Sequence, residues 1–125
     1  MNKKYELTDE TKNFYGATLH RIRALRDIPR FNIKAGDLGG WIEKEENLSH
    51  YGDAWVYGNA LVYGNARVSG NARVYGNARV YDNAEVYGNA WVSGNAWVYG
   101  NARVSGNADY MVFKNSWSSC RSFLY

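Results

Sequence analysis

The chain has almost no cysteine, almost no proline and, through its middle, neither histidine nor lysine. One cysteine in 125 residues, Cys120, excludes an internal disulfide and a thiolate metal site. The single proline, Pro29, leaves the rest of the chain without proline breaks. Residues 53–109 contain no His, so that stretch lacks the commonest general base. No apolar run approaches the length that crosses a bilayer and nothing resembles a signal peptide, so no membrane contact and a cytosolic protein are expected. Charge of one sign is scarce too, with 15 basic and 12 acidic residues giving +3. Within residues 51–110, Arg67, Arg73, Arg79 and Arg103 are balanced by Asp53, Asp82, Glu85 and Asp109. A neutral body argues against bulk nucleic-acid binding, which needs many uncompensated cations.

What the chain does have is one phrase, Gly-Asn-Ala-x-Val-Tyr, repeated from residue 53 to residue 109. Ala recurs every six residues from Ala54 to Ala108, and Val from Val56 to Val104, without a slip. A fixed period of this kind means a solenoid, whose units bury their apolar faces only by stacking. Ala and Val lie two apart and point to the same side of a short strand of about four residues. The residue between them points outward, as does the Tyr or Ser after Val. Gly and Asn follow, and both tolerate the positive φ of a sharp corner. A corner every six residues closes a triangle in three phrases, giving 18 residues per coil. The core is thin, so the inter-coil hydrogen bonds and the outer side-chain stacks must help to hold it.

Three regions are expected: a cap over residues 1–40, the repeat over 41–110, and a C-terminal cap and tail over 111–125. Residues 4–8 and 18–25 alternate as two strands of a β-hairpin around Gly16, and Phe31-Asn32-Ile33 reads as a third short strand. Extending the columns backward puts Ile42 and Leu48 in the Ala column and Lys44 and His50 in the Val column. The hairpin is expected to cover that irregular first coil. At the far end Tyr110 is too large for its Val slot, and Met111-Val112-Phe113 is expected to plug the coil, ahead of a serine-rich tail.

Val62-Tyr63-Gly64-Asn65-Ala66-Arg67 resembles the repeat of the left-handed parallel β-helix proteins built on hexapeptide units. That likeness implies an all-β, left-handed, triangular solenoid, here with an N-terminal β-hairpin cap. The best-known members are acyltransferases, which use a His base, a loop projecting from the coils and a trimer interface; this repeat has neither the His nor the loop. More narrowly, Tyr5-Glu6-Leu7-Thr8, Arg21-Ile22-Arg23-Ala24-Leu25 and Ala35-Gly36-Asp37-Leu38-Gly39-Gly40-Trp41-Ile42-Glu43 resemble small hexapeptide-repeat proteins of phages and prophages. That resemblance implies a protein working in the cytosol of a bacterial host.

Residues 18 apart should stack. One face then reads Trp55, Arg73, Trp91 and Asp109, beside Tyr57, Tyr75 and Ser93. A second reads Leu61, Arg79 and Trp97, beside Tyr63, Tyr81 and Tyr99. The third reads Ser49, Arg67, Glu85 and Arg103, beside Tyr51, Ser69, Tyr87 and Ser105. Arg between two Trp is a cation–π sandwich, and Glu between two Arg is a charge ladder. The repeats use Arg and never Lys, as planar stacking on rings favours. These ladders read first as staples between coils, and compatibly, on the first two faces, as an aromatic wall that binds something. His20, His50 and the Glu43, Glu45 and Glu46 run read as cap and turn residues, and Asp82 as an Asx-type corner.

The functional expectation is a binding protein without catalysis, metal or cofactor. Foremost is an inhibitor that lays its aromatic faces on a host defence protein. A sponge holding a small nucleotide at an oligomer interface (a dimer or trimer) comes second, and a polymer-forming spacer third. An acyltransferase comes behind these, as does ice binding, which wants arrays of Thr.

Overall fold

The computed structural model describes residues 3–105 and two short strands beyond them, at 116–117 and 122–123. Strands β1 (Tyr5–Phe14), β2 (Ala17–Ala24) and β3 (Leu38–Ile42) come first. The repeat then supplies two-residue strands: β4 (Trp55–Val56), β5 (Leu61–Val62), β6 (Arg67–Val68), β7 (Arg73–Val74), β8 (Arg79–Val80), β9 (Glu85–Val86), β10 (Trp91–Val92), β11 (Trp97–Val98) and β12 (Arg103–Val104). Strands β13 (Ser116–Trp117) and β14 (Ser122–Phe123) complete the series. Strands 18 residues apart pair in parallel, so Trp55 lies beside Arg73, Leu61 beside Arg79 and Arg67 beside Glu85. The result is an all-β parallel solenoid with three sheets as its faces: β4-β7-β10, β3-β5-β8-β11-β13 extended by the hairpin β1-β2, and β6-β9-β12-β14.

The strands are shorter than the four residues expected because the corner takes one donor from each phrase. In the phrase beginning at Leu61, three N–H groups cross to the next coil. Leu61 donates to Ala78 O at 2.9 Å, Tyr63 to Val80 O at 3.0 Å and Asn65 to Asp82 O at 2.8 Å. Ala66 N–H instead turns back to Tyr63 O at 3.3 Å and closes the corner. The Ala and Val columns point inward as expected, and none of these residues from Ala54 to Val104 is more than 1 % exposed.

The two corner residues divide the work differently from the expectation. Gly takes the left-handed conformation (Gly64 φ 66, Gly70 φ 67), and Asp82 takes it at φ 61, but no repeat Asn in the described residues does. Asn instead extends its side-chain amide to the Asn one coil on: Asn65 to Asn83 at 3.3 Å and Asn77 to Asn95 at 3.3 Å. The Asp82 carboxylate likewise reaches across a coil, accepting from Gly100 N–H at 3.0 Å.

At the N-terminal end the register changes. Ile42 pairs with Val62 and Leu48 with Val68, so both lie in the Val column and not in the Ala column. From Leu48 the next Val-column residue is Val56, eight positions on instead of six; the two extra residues lie in the corner that contains His50 and Tyr51. Gly39 and Gly40 let β3 cross the end of the solenoid closely. A Cβ on Gly39 would lie 2.6 Å from Val56 O, and one on Gly40 2.7 Å from Val56 Cγ1. The hairpin is present, with a two-residue turn at Tyr15–Gly16. Phe31-Asn32-Ile33 is not a strand; Pro29–Phe31 forms a 3-10 turn held by an Ile28–Ile33 bridge.

Three buried polar groups fasten this end. Asn47 accepts from Glu43 and Lys44 N–H (3.1 and 2.9 Å) and donates to Gly64 O and Ala66 O (3.2 and 2.9 Å). Tyr5 donates to Leu48 O at 2.6 Å and stacks on His50 at 4.1 Å between ring centres. The Lys4 ammonium donates to Ala54 O at 2.6 Å. At the other end β13 pairs with β11, and β14 with β12, each 19 residues on, so the ladder continues past the expected boundary at 110. The expected stacking of Asp109, the misfit of Tyr110 and the Met111-Val112-Phe113 plug lie outside the described residues.

Two predictions follow from these anchors. Asn47→Ala leaves Lys44 N–H, Gly64 O and Ala66 O short of a partner, while Glu43 N–H keeps Val62 O at 3.2 Å, and should cost about 2–4 kcal/mol in urea unfolding, against less than about 1 kcal/mol for the exposed Asn77→Ala. Stability should also peak near pH 10. Burial pushes the Lys4 amine from 10.5 down to about 8, so between those values the unfolded chain binds a proton that the folded chain has released, and stability rises with pH. Burial pushes the Tyr57 and Tyr63 phenols from 10.0 up to about 12, and Tyr5 shifts the same way. Above pH 10 the unfolded chain loses those protons first, so stability falls. Lys4→Met should remove the rise and leave the fall, in melting curves taken between pH 7 and 11.

Candidate functional site

Strand pairing brings the outward residues of the first two faces into columns, and the cap decides which of them reach the surface. On the second face Tyr63, Tyr81 and Tyr99 stack with ring centres 5.1 and 5.3 Å apart and planes within 8° of parallel. Beside them Arg79 lies 4.8 Å from the Trp97 ring and 4.8 Å from the Phe14 ring. Phe14, at the hairpin tip, also meets Tyr63 edge-on at 5.6 Å. Trp97 stays 39 % exposed. Upstream, Trp41, Leu61 and Leu19 form a small outer cluster, with the Lys12 ammonium 4.4 Å above the Trp41 ring.

The first face follows the same plan with one correction. Arg73 does stack, 4.2 Å from Trp91, but its other side meets Phe31 at 4.9 Å and not Trp55. Trp55 is 1 % exposed, packed in the main core with Tyr5, Ile28 and Ile33. The cap closes over the first coil, so Trp55 is not available at the surface. Tyr57 and Tyr75 also flank Arg73, at 5.9 and 5.4 Å, and touch each other edge-on at 6.0 Å. Under Phe31 the Tyr57 hydroxyl and Arg73 Nε are buried without a hydrogen-bond partner among the described residues. Burial also raises the Tyr81 phenol, helped by the neighbouring Asp82 charge.

The two cap phenylalanines were not legible as site residues. Each completes an arginine sandwich whose other half is a Trp one coil on, but Phe14 lies 65 positions before Arg79 and no period connects them. The third face is thinner than expected. Glu85 reaches Arg103 at 4.0 Å, while Arg67 has no side-chain partner among the described residues.

Residues 54–108 match the YdcK beta solenoid repeat, in seven overlapping stretches that run from 54–70 to 96–108. The chain is a β-solenoid repeat protein. No curated protein matches the sequence. The matched stretch begins at the first regular Ala, so the likeness covers the coils and not the cap that completes the sandwiches.

Stacking and not charge holds these arginines. Arg73→Lys and Arg79→Lys should therefore each cost about 0.5–1 kcal/mol in chemical denaturation, and nearly add when combined, because they sit on different faces.

Proposed function

We propose that this solenoid is a non-catalytic binding scaffold whose second face docks on a partner protein. One observation carries the reading: the Tyr63–Tyr81–Tyr99 stack lies in a single column beside a part-exposed Trp97 that stacks on Arg79, whose guanidinium also meets Phe14. Trp, Tyr and Arg dominate interface energetics, and rings already locked by stacking lose little freedom on binding. The first face contributes Trp91, Arg73 and Tyr75 around the corner; Trp55 drops out because it is buried.

The narrower form, an inhibitor of phage or prophage origin that covers a host defence protein, rests on the resemblance of the N-terminal phrases alone. The nucleotide-sponge alternative is less favoured. A base entering the tyrosine column would have to part rings whose centres already lie 5.1–5.3 Å apart.

Trp97→Ser combined with Tyr81→Ser tests the reading. In affinity capture from bacterial lysate followed by mass spectrometry, the double variant should lose the wild-type partner at least tenfold, with melting temperature lowered by no more than about 5–10 °C. Undiminished capture by a destabilised variant would make the columns staples only.

A further inference from the structure

The third face lacks what holds the other two, and its residues complement a second copy of themselves. Tyr87 makes no ring contact among the described residues, because its column neighbours are Ser69 and Ser105. Arg67 is exposed with no side-chain partner among the described residues, and Glu85 meets Arg103 only at 4.0 Å. A hollow of about 310 Å³ lies over this face, lined by Glu46, Ser49, Arg67, Val68, Ser69 and Glu85. Among the described residues no ring of the N-terminal cap lies over it, whereas Phe14 and Phe31 lie over the other two faces.

We infer that the third face pairs with the same face of a second copy, about a two-fold axis parallel to the strands and midway between β6 and β9. This operation keeps the position along a strand and reverses the order of the coils. It sets Arg67 opposite the other copy's Glu85, and Glu85 opposite its Arg67. It sets Tyr87 opposite the other copy's Ser69, beside the hollow, and sends Arg103 toward the first coil, where Glu46 and Ser49 line that hollow. Each Glu85 so matched meets an arginine, and Tyr87 of each copy meets a serine. The arrangement is isologous and closed. Coil spacing matches between the copies without adjustment, since both repeat at about 4.8 Å. A two-fold axis along the solenoid would instead set Arg67 against Ser69, and no such pairing of charges results. The face is small, about 15 Å along the axis, so the dimer belongs to the weak class of interfaces. Both proposed docking faces stay free.

Sedimentation equilibrium from 5 to 500 µM tests this directly, with circular dichroism confirming the fold of each variant. Wild type should form a dimer with a Kd in the range of about 10–500 µM. Ser69→Tyr fills the hollow with a ring that the column accepts, as it does at Tyr87, and should weaken the dimer at least tenfold while remaining folded. Arg67→Glu should do the same by opposing two carboxylates, and Arg67→Glu with Glu85→Arg should restore association. A monomer at 500 µM, a trimer, or a dimer indifferent to Ser69→Tyr would overturn the inference. Loss of partner capture by the Trp97 variant would leave it untouched.

Discussion

The structure depends on hydrogen bonds that run between coils from a backbone with almost no other means of support. Each corner glycine returns the chain so that the strand residues of one phrase lie over those of the third phrase along. In the phrases from Leu61 to Asn83 three N–H groups then cross to the next coil, and the fourth closes the corner. Inside this frame the packing is simple, an alanine and a valine per phrase, both fully buried. Such side chains bury little surface, and the ordering of six backbone residues offsets much of what they contribute. Cooperation along the stack makes up the difference, as in other quasi-one-dimensional folds.

Two consequences follow at the surface. An in-register ladder puts every outward residue against the one 18 positions away, so tyrosines stack, asparagines chain and arginines lie on tryptophans. It also leaves an open end where backbone groups would lack partners. The N-terminal segment closes that end with polar groups fitted to individual carbonyls: Lys4 on Ala54, Tyr5 on Leu48 and Asn47 on Gly64 and Ala66. The same segment places Phe14 and Phe31 over the first arginine of two faces. Cap and wall are thereby one construction, and the third face, over whose arginines the described residues of the cap place no ring, is left with loosely held charges.

How much of this could be read from residue order depends on whether a period carried it. The three faces, the inward Ala and Val columns and the neighbours Arg79–Trp97 and Arg73–Trp91 all follow from counting. The cap does not repeat, and there the reading was less accurate. Counting back by six put Ile42 and Leu48 one column away from where they lie, because two extra residues sit in the corner after Leu48. It exposed Trp55, which Tyr5, Ile28 and Ile33 bury. Propensity alone gives asparagine a backbone role at the corner, whereas the glycine beside it takes the left-handed conformation and frees the amide to join its neighbour. Asn47 carried no signal at all, since its four partners come together only in the folded coil.

The central claim is that positions 18 apart are physical neighbours and positions 12 apart are not. Double-mutant cycles on unfolding free energy measure this most directly, comparing Arg79 with Trp97, one coil on, against Arg79 with Trp91, on another face. The account predicts a coupling of about 0.5–1 kcal/mol for the first pair and none beyond about 0.3 kcal/mol for the second. Equal couplings, or a larger one between Arg79 and Trp91, would contradict it.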